Sequence, residues 1–371
     1  MAGLSDLNEP RNMKLIKTFA VISALILTTG CVKTEAGKTD LDMKEKIKLV
    51  SPSDGQTEIE TTNRLVRRFV SENYTLKCCD KYFDLVSDKY APQEIEFRWE
   101  GRGKYIFYLS ENKDFTDPYT VACDACSLSL GGLKTGIEYF WKVSGNGCES
   151  EVFSFTTAHG PRTVYIDGVT NSRDIGSWDG INGGIKQGRV FRTAYLDKIT
   201  DEGIRYCREF LKIRTELDLR TDGEGNRNML GHDVNYINIS SAYYAGDHSI
   251  YDRENYEATK RILEIFADKD NYPVLVHCTV GRDRTGTIAF LLEALCGMSE
   301  DDIYREYDLS FFSANGDHEP SVMHKNFFNQ LYVGLYRYVQ GGALSDNARR
   351  YCLDIGLTER QIDAIIANLT E

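Results

Sequence analysis

Tyr272-Pro273-Val274-Leu275-Val276-His277-Cys278-Thr279-Val280-Gly281-Arg282-Asp283-Arg284-Thr285-Gly286 reads as a buried strand, a tight loop and the first turn of a helix. Val274, Leu275 and Val276 form a continuous apolar run, as in a strand covered on both faces. Beyond the loop, Ile288, Leu291, Leu292 and Leu295 recur at helical spacing. Ala289, Phe290 and Ala294 make that helix apolar nearly all round, which predicts a central position.

A loop wrapped around a helix start turns several backbone N–H groups inward, where the helix dipole also favours an anion. A phosphate dianion suits such a cradle, and Arg284 adds a bidentate fork for two of its oxygens. Cys278, at the mouth of the loop, lies in the same positive field, which favours its thiolate. The candidate phosphate-binding residues are therefore Thr279, Val280, Gly281, Arg282, Asp283, Arg284 and Thr285, with Cys278 and Arg284 catalytic. The chemistry implied is phosphoryl transfer to sulfur. In a chain with ten cysteines a lone Cys–Arg spacing is weak, but His-Cys-x-x-Gly-x-x-Arg-Thr-Gly between a strand and a helix is specific. The loop lacks the Gly-Lys-Ser/Thr ending of a nucleotide-binding P-loop.

Residues 277–286 resemble the active-site loop of the cysteine-dependent protein tyrosine phosphatases. Gly281-Arg282-Asp283-Arg284-Thr285-Gly286 is similar to the Gly-Lys-Asp-Arg-Thr-Gly of bacterial secreted tyrosine and phosphoinositide phosphatases. Asn171-Ser172-Arg173-Asp174-Ile175-Gly176, Gly188-Arg189-Val190-Phe191-Arg192-Thr193-Ala194, Thr215-Glu216-Leu217-Asp218-Leu219-Arg220 and Glu306-Tyr307-Asp308-Leu309-Ser310 resemble further stretches of that family, in order, over roughly residues 165–370. The resemblance implies a general acid that protonates the departing oxygen. Asp247, on a loop about thirty residues before the cysteine, is the first candidate and Asp283 the second. It also implies that Thr285 bonds the Cys278 sulfur, that His277 fixes the loop through backbone hydrogen bonds, and that Arg173 and Asp174 support the pocket. No metal or other cofactor is expected, since loop dipoles and Arg284 neutralise the phosphoryl group. Arg282 stands where phosphoinositide-active relatives carry lysine, so inositol phosphates join phosphorylated proteins as expected substrates.

The fold class that follows is multi-domain, with an N-terminal all-β sandwich and a C-terminal α/β domain whose parallel or mixed sheet is flanked by helices. A chain of 371 residues has room for both cores. Residues 1–31 read as an export signal: Met13 opens a basic segment, Phe19 to Leu27 is apolar, and Leu27-Thr28-Thr29-Gly30-Cys31 resembles a bacterial lipoprotein processing site with Cys31 lipidated. An exported protein, anchored in the membrane by lipid and facing the periplasm or the cell surface, is expected. Residues 32–46 read as a polar tether. A net charge of −12 argues against a nucleic-acid partner.

Residues 47–158 show short alternating strands, as in Ile95-Glu96-Phe97-Arg98-Trp99. The turn at Leu133–Gly136, the Tyr139–Trp141 strand and the final Phe-x-Thr strand, within Val152–Thr157, resemble a fibronectin type III domain, with residues 56–90 fitting that template poorly. Its cysteines, Cys78, Cys79, Cys123, Cys126 and Cys148, are expected as two disulfides and one thiol, or, less simply, as a zinc site of the first four. The domain reads as a spacer. In residues 159–371, helices are expected from Thr200 to about Leu211 and from Arg253 to Ala267, strands at 214–219 and 234–239, and helices near 299–310, 321–340, 345–354 and 358–369. A binding protein with an inactive phosphate site, or sulfur or arsenate chemistry on the same loop, are the rival readings.

Overall fold

The computed structural model describes residues 46–75, 77–78, 80–83, 91–178, 184–241, 249–313, 329–339 and 341–370. The export signal with Cys31, residues 32–45 of the tether, Cys79, and Asp247 with its loop lie outside the described residues.

The N-terminal part contains β1 (Lys48–Ser51), β2 (Gln56–Ile59), α1 (Arg64–Ser71), α2 (Asp80–Phe83), β3 (Ile95–Glu100), β4 (Tyr105–Ser110), β5 (Tyr119–Cys123), β6 (Ser127–Leu130), β7 (Glu138–Gly145), β8 (Cys148–Glu149) and β9 (Phe153–Thr157). One sheet has the order β1-β3-β6 and the other β2-β9-β7-β4-β5, with β8 on β7. Period-two burial explains their shared core: in β3, Ile95, Phe97 and Trp99 turn inward while the residues between them are exposed. Phe97 packs edge-on against Phe107 at 4.8 Å and Trp141 at 5.3 Å.

An all-β module is corrected at residues 64–83, which hold two helices. Asn63 caps α1 by accepting from the Leu65 N–H at 2.8 Å, and Val66 and Phe69, three apart, form its buried face. That face does not join the sheets; it lies in the core of the C-terminal domain. The expected disulfides are also corrected. All eight described cysteines carry free thiols. Cys123 on β5 and Cys148 on β8 are separated by β4 and β7, and Cys78 belongs to the other core. Among the described residues no group of three or more His, Cys, Asp or Glu could hold a metal ion, and no helix is long and apolar enough to cross a membrane.

The C-terminal part contains β10 (Arg173–Asp174), β11 (Val190–Thr193), α3 (Asp201–Arg205), β12 (Thr215–Asp218), β13 (Asn235–Asn238), α4 (Arg253–Ala267), β14 (Val274–His277), α5 (Asp283–Leu295), α6 (Glu300–Asp308), α7 (Asn329–Leu335), α8 (Leu344–Asp354) and α9 (Glu359–Thr370). Its sheet order is β10-β11-β14-β12-β13; the last four strands are parallel and β10 runs antiparallel to β11. The helix expected from Thr200 is shorter: after α3 it widens into a π-turn at Tyr206–Phe210.

β14 is central, and its alternation assigns its residues to two cores. Val274 and Val276 pack with α4, α5 and α9, whereas Leu275 packs with Phe191, Leu211 and Ile213 on the other face. Every residue of α5 from Arg284 to Leu295 is buried. Strand register brings Thr193, His277 and Asp218 level at the carboxyl edge of the sheet, the edge where ligands bind in open α/β sheets.

Candidate active site

The loop from Cys278 to Arg282 owes its shape to what holds its carbonyls. Thr279 O accepts from the Tyr195 N–H at 3.2 Å, Val280 O from Asn171 Nδ2 at 2.9 Å, and Gly281 O from Arg192 Nη2 at 2.7 Å. Arg282 O accepts from the same Nη2 at 3.2 Å and from the Gly286 N–H at 2.8 Å. Four successive carbonyls are thus turned outward. Because each peptide is planar and trans, the N–H groups of residues 280–283 face the opposite way, to the inner side of the loop. The Gly281 N–H does so visibly, donating to Cys278 Sγ at 3.2 Å. Gly281 takes φ +70°, and a Cβ there would collide with the Thr193 carbonyl, so the turn requires glycine.

Behind the loop lies a buried ion network. Glu306 accepts from Arg173 Nε at 2.6 Å and from Arg192 Nη1 at 2.5 Å. Arg173 also donates to Asn171 Oδ1 at 2.5 Å, which fixes the amide that holds Val280. Asn171 sits at φ +57°, a left-handed conformation that asparagine tolerates. Glu293 of α5 lies in the same pocket, and burial, followed by the charge of Glu306, pushes its carboxyl well above the usual range.

Arg284 meets the loop that follows β12. Its Nη1 and Nη2 donate to Glu224 Oε2 and Oε1 at 2.8 and 3.0 Å, and Nη2 also donates to Thr279 Oγ1 at 2.8 Å. Thr279 Oγ1 donates in turn to Glu224 Oε1 at 2.6 Å. The Arg284 guanidinium holds the Glu224 carboxyl well below the usual carboxylate range. Arg220 secures this loop: it pairs with Asp218 at 2.9 Å and donates to the Glu224 carbonyl at 3.1 Å.

The remaining candidates fall as follows. Cys278 is 1% exposed, and its sulfur accepts from the Gly281 N–H. Asp283 accepts from Arg282 Nε at 3.1 Å and from the Tyr307 hydroxyl at 3.2 Å, and the Arg282 guanidinium lies 5.4 Å over the Phe311 ring. Thr285 Oγ1 is buried and has no hydrogen-bond partner, so the bond expected to the Cys278 sulfur is not formed. His277 contacts side chains rather than backbone: its Nε2 lies 3.3 Å from Glu216 Oε1 and its Nδ1 3.8 Å from Asp218 Oδ1, all buried. Arg173 stands behind the loop as described. Asp174 makes none of the bonds to the loop given above: it accepts from Arg162 Nη1 at 3.0 Å and from the Gly176 N–H at 2.9 Å, and Arg162 in turn donates to the Gly132 carbonyl of the N-terminal part at 2.9 Å. Glu224, Asn171, Arg192 and Glu306 were not singled out from sequence. The last three lay inside quoted family stretches, and Glu224 sat in a glycine-rich turn that reads only as a turn.

A loop with outward-bonded carbonyls between the central strand of a mixed sheet and a buried helix defines the class: an α/β domain with its candidate site at the carboxyl edge of the sheet. Residues 164–371 match the tyrosine phosphatase family, and the chain belongs to that family of phosphoric monoester hydrolases. It is similar to the OCA1 protein of Meyerozyma guilliermondii, provisionally named a tyrosine-protein phosphatase, with 34% identity over 79 residues, 21% of this chain and 38% of that one. A Cupriavidus necator protein of the same provisional name is 25% identical over 180 residues, 41% of this chain and 64% of that one. The chain therefore spans less than two thirds of either relative. Among solved structures, the core catalytic domain of the S. cerevisiae PP-IP phosphatase SIW14 has 19% identity and a TM-score of 0.28, covering 40% of this chain and 86% of that one. P. aeruginosa TpbA bound to pTyr has 17% identity and a TM-score of 0.30, covering 44% and 85%.

Proposed function

We propose that this protein is a cysteine-dependent phosphatase that hydrolyses phosphate monoesters, protein phosphotyrosine first among them. The observation that carries the proposal is the row of carbonyls 279–282 bonded outward, which turns the loop N–H groups to the side where the Gly281 N–H meets the Cys278 sulfur, with the Arg284 guanidinium tied to the same loop through Thr279. In the first step the Cys278 thiolate attacks phosphorus. The P–O bond to the alcohol breaks, and Asp247 or Asp283 gives a proton to the leaving oxygen. In the second step water attacks the phosphocysteine, its proton returns to the carboxylate, and the S–P bond breaks to release phosphate and thiolate. The N–H groups and Arg284 stabilise the charge on the equatorial oxygens in both steps. Glu224 orients Arg284 and shares it with the incoming phosphate. Thr285, with its hydroxyl buried and unpartnered, is suited to bond the departing sulfur or a phosphate oxygen. The pairing of Arg282 with Asp283 favours singly phosphorylated substrates over inositol polyphosphates, because it leaves less uncompensated charge in the loop.

The N-terminal residues extend the proposal. The protein is exported and lipid-anchored through Cys31, and residues 47–158 carry a fibronectin type III-like β-sandwich between anchor and catalytic domain; the sequence patterns at Leu27–Cys31 and Leu133–Thr157 support this. To test the enzyme, turnover of a phosphotyrosyl peptide and of inositol hexakisphosphate is compared between the chain and its Cys278→Ser form. Activity on the peptide that vanishes in the variant is expected; equal activity in both forms overturns the mechanism, and preference for the inositol phosphate overturns the substrate class.

A further inference from the structure

We infer that α1, with Glu72, Tyr74 and Tyr82 after it, forms a brace that positions the anion loop, acting through the 304–312 segment. The inference rests on the catalytic reading of that loop. Val66 and Phe69 of α1 lie in one apolar core with Ile288 and Phe290 of α5 rather than with the sheets they precede. Phe69 meets Phe312 at 5.4 Å, and Tyr82 stacks on Phe312 at 5.0 Å. Tyr74 stacks on Tyr304 at 5.4 Å and donates its hydroxyl to Asp308 Oδ2 at 3.0 Å. Arg305 lies 5.5 Å over the Tyr74 ring and donates to the Glu72 carbonyl at 3.2 Å.

The 304–312 segment therefore has two working sides. Tyr304, Arg305, Asp308 and Phe312 meet the brace. Between them, Glu306 holds Arg173 and Arg192, Tyr307 donates to Asp283, and Phe311 lies under Arg282. Gly286 records how tight this second side is, since a Cβ there would stand 2.9 Å from the Tyr307 ring and 3.0 Å from Arg192 Nη2. Close-packed interiors transmit displacement instead of absorbing it. A shift of the brace thus moves the Glu306 carboxylate and the Tyr307 hydroxyl together, and with them the carbonyl anchors of the loop. Val66, Phe69, Tyr74 and Tyr82 are positioning residues for the reaction, and the N-terminal part is more than a spacer.

The test uses the full chain with Tyr74→Phe, which removes only the hydroxyl, and Phe69→Leu, which keeps the site apolar. Val143→Ala, in the core between the N-terminal sheets, serves as a destabilised control. For each, kcat and KM on a phosphotyrosyl peptide, orthovanadate affinity by calorimetry and melting temperature are measured. Both brace variants are expected to lose about tenfold in kcat and in orthovanadate affinity with KM little changed, because small misplacements of a catalytic constellation carry losses of this size. Val143→Ala, at an equal or larger drop in melting temperature, is expected to keep both. Wild-type kcat and orthovanadate affinity in the brace variants overturn the inference, as does an equal loss in Val143→Ala. If the wild-type chain shows no Cys278-dependent turnover, the catalytic reading falls instead, and orthovanadate affinity alone then decides the brace.

Discussion

At the scale of single residues, two carboxylates in this site do opposite things because their surroundings differ. Glu224 is partly exposed and bonded by Arg284, Thr279 and Thr221, so it stays ionised. Glu224→Ala is expected to release the Arg284 guanidinium and lower kcat/KM by about tenfold or more, while Glu224→Asp recovers part of the loss; steady-state kinetics on a phosphotyrosyl peptide checks this. Glu293 is fully buried, one of its oxygens has no partner, and Glu306, Arg192, Arg173 and Asp302 act on it from neighbouring positions. Its raised value means that the folded state favours the protonated form. Its contribution is then intact below the ordinary 4.5 and is lost as pH climbs through the folded value. Glu293→Gln, neutral at every pH, is expected to melt higher than the wild type at alkaline pH and to lose that advantage in acid. Melting curves across pH measure it.

At the scale of elements, the strand–loop–helix unit was legible in sequence because every local signal agreed. The apolar run Val274–Val276, the glycine at 281 and the apolar helix each predict one structure, and all three occur. The helix Arg253–Ala267 was read with its observed bounds for the same reason. What failed were elements whose partners lie far along the chain. In α1, the spacing of Val66 and Phe69 is helical, but the sheet template around it suggested an irregular insertion. The bonds from Asn171 and Arg192 to the loop span 109 and 89 positions, the bond from Arg173 to Glu306 behind it spans 133, and no pattern within a window shows which arginine meets which carbonyl. Tyr206–Phe210 widened into a π-turn where periodicity gave a plain helix. One prediction belongs here. Gly281→Ala puts a Cβ against the Thr193 carbonyl in a left-handed backbone position, so it is expected to abolish orthovanadate binding and to lower stability by about 1–3 kcal/mol. Calorimetry and urea titration measure the two effects.

At the scale of the whole molecule, residues 44–371 form one compact unit, as the short join at residues 159–172 allows. Thr135 and Gln187 exchange hydrogen bonds at 2.8 Å in both directions, Arg162 donates to the Gly132 carbonyl at 2.9 Å, and the brace lies in the catalytic core. Residues 44–371 are therefore expected to unfold in one cooperative transition, with calorimetric and van't Hoff enthalpies in agreement. Two resolved transitions contradict that coupling. The acidity of the chain, with a net charge of −12, leaves attraction for phosphate to the local cradle. The measurement that bears most directly on the cradle is an acid quench of the chain during turnover of a phosphotyrosyl peptide, followed by mass mapping of its cysteines. A phosphoryl group on Cys278, absent from the Cys278→Ser variant, is the predicted result; turnover that persists in that variant, or a phosphoryl group on any other residue, contradicts it.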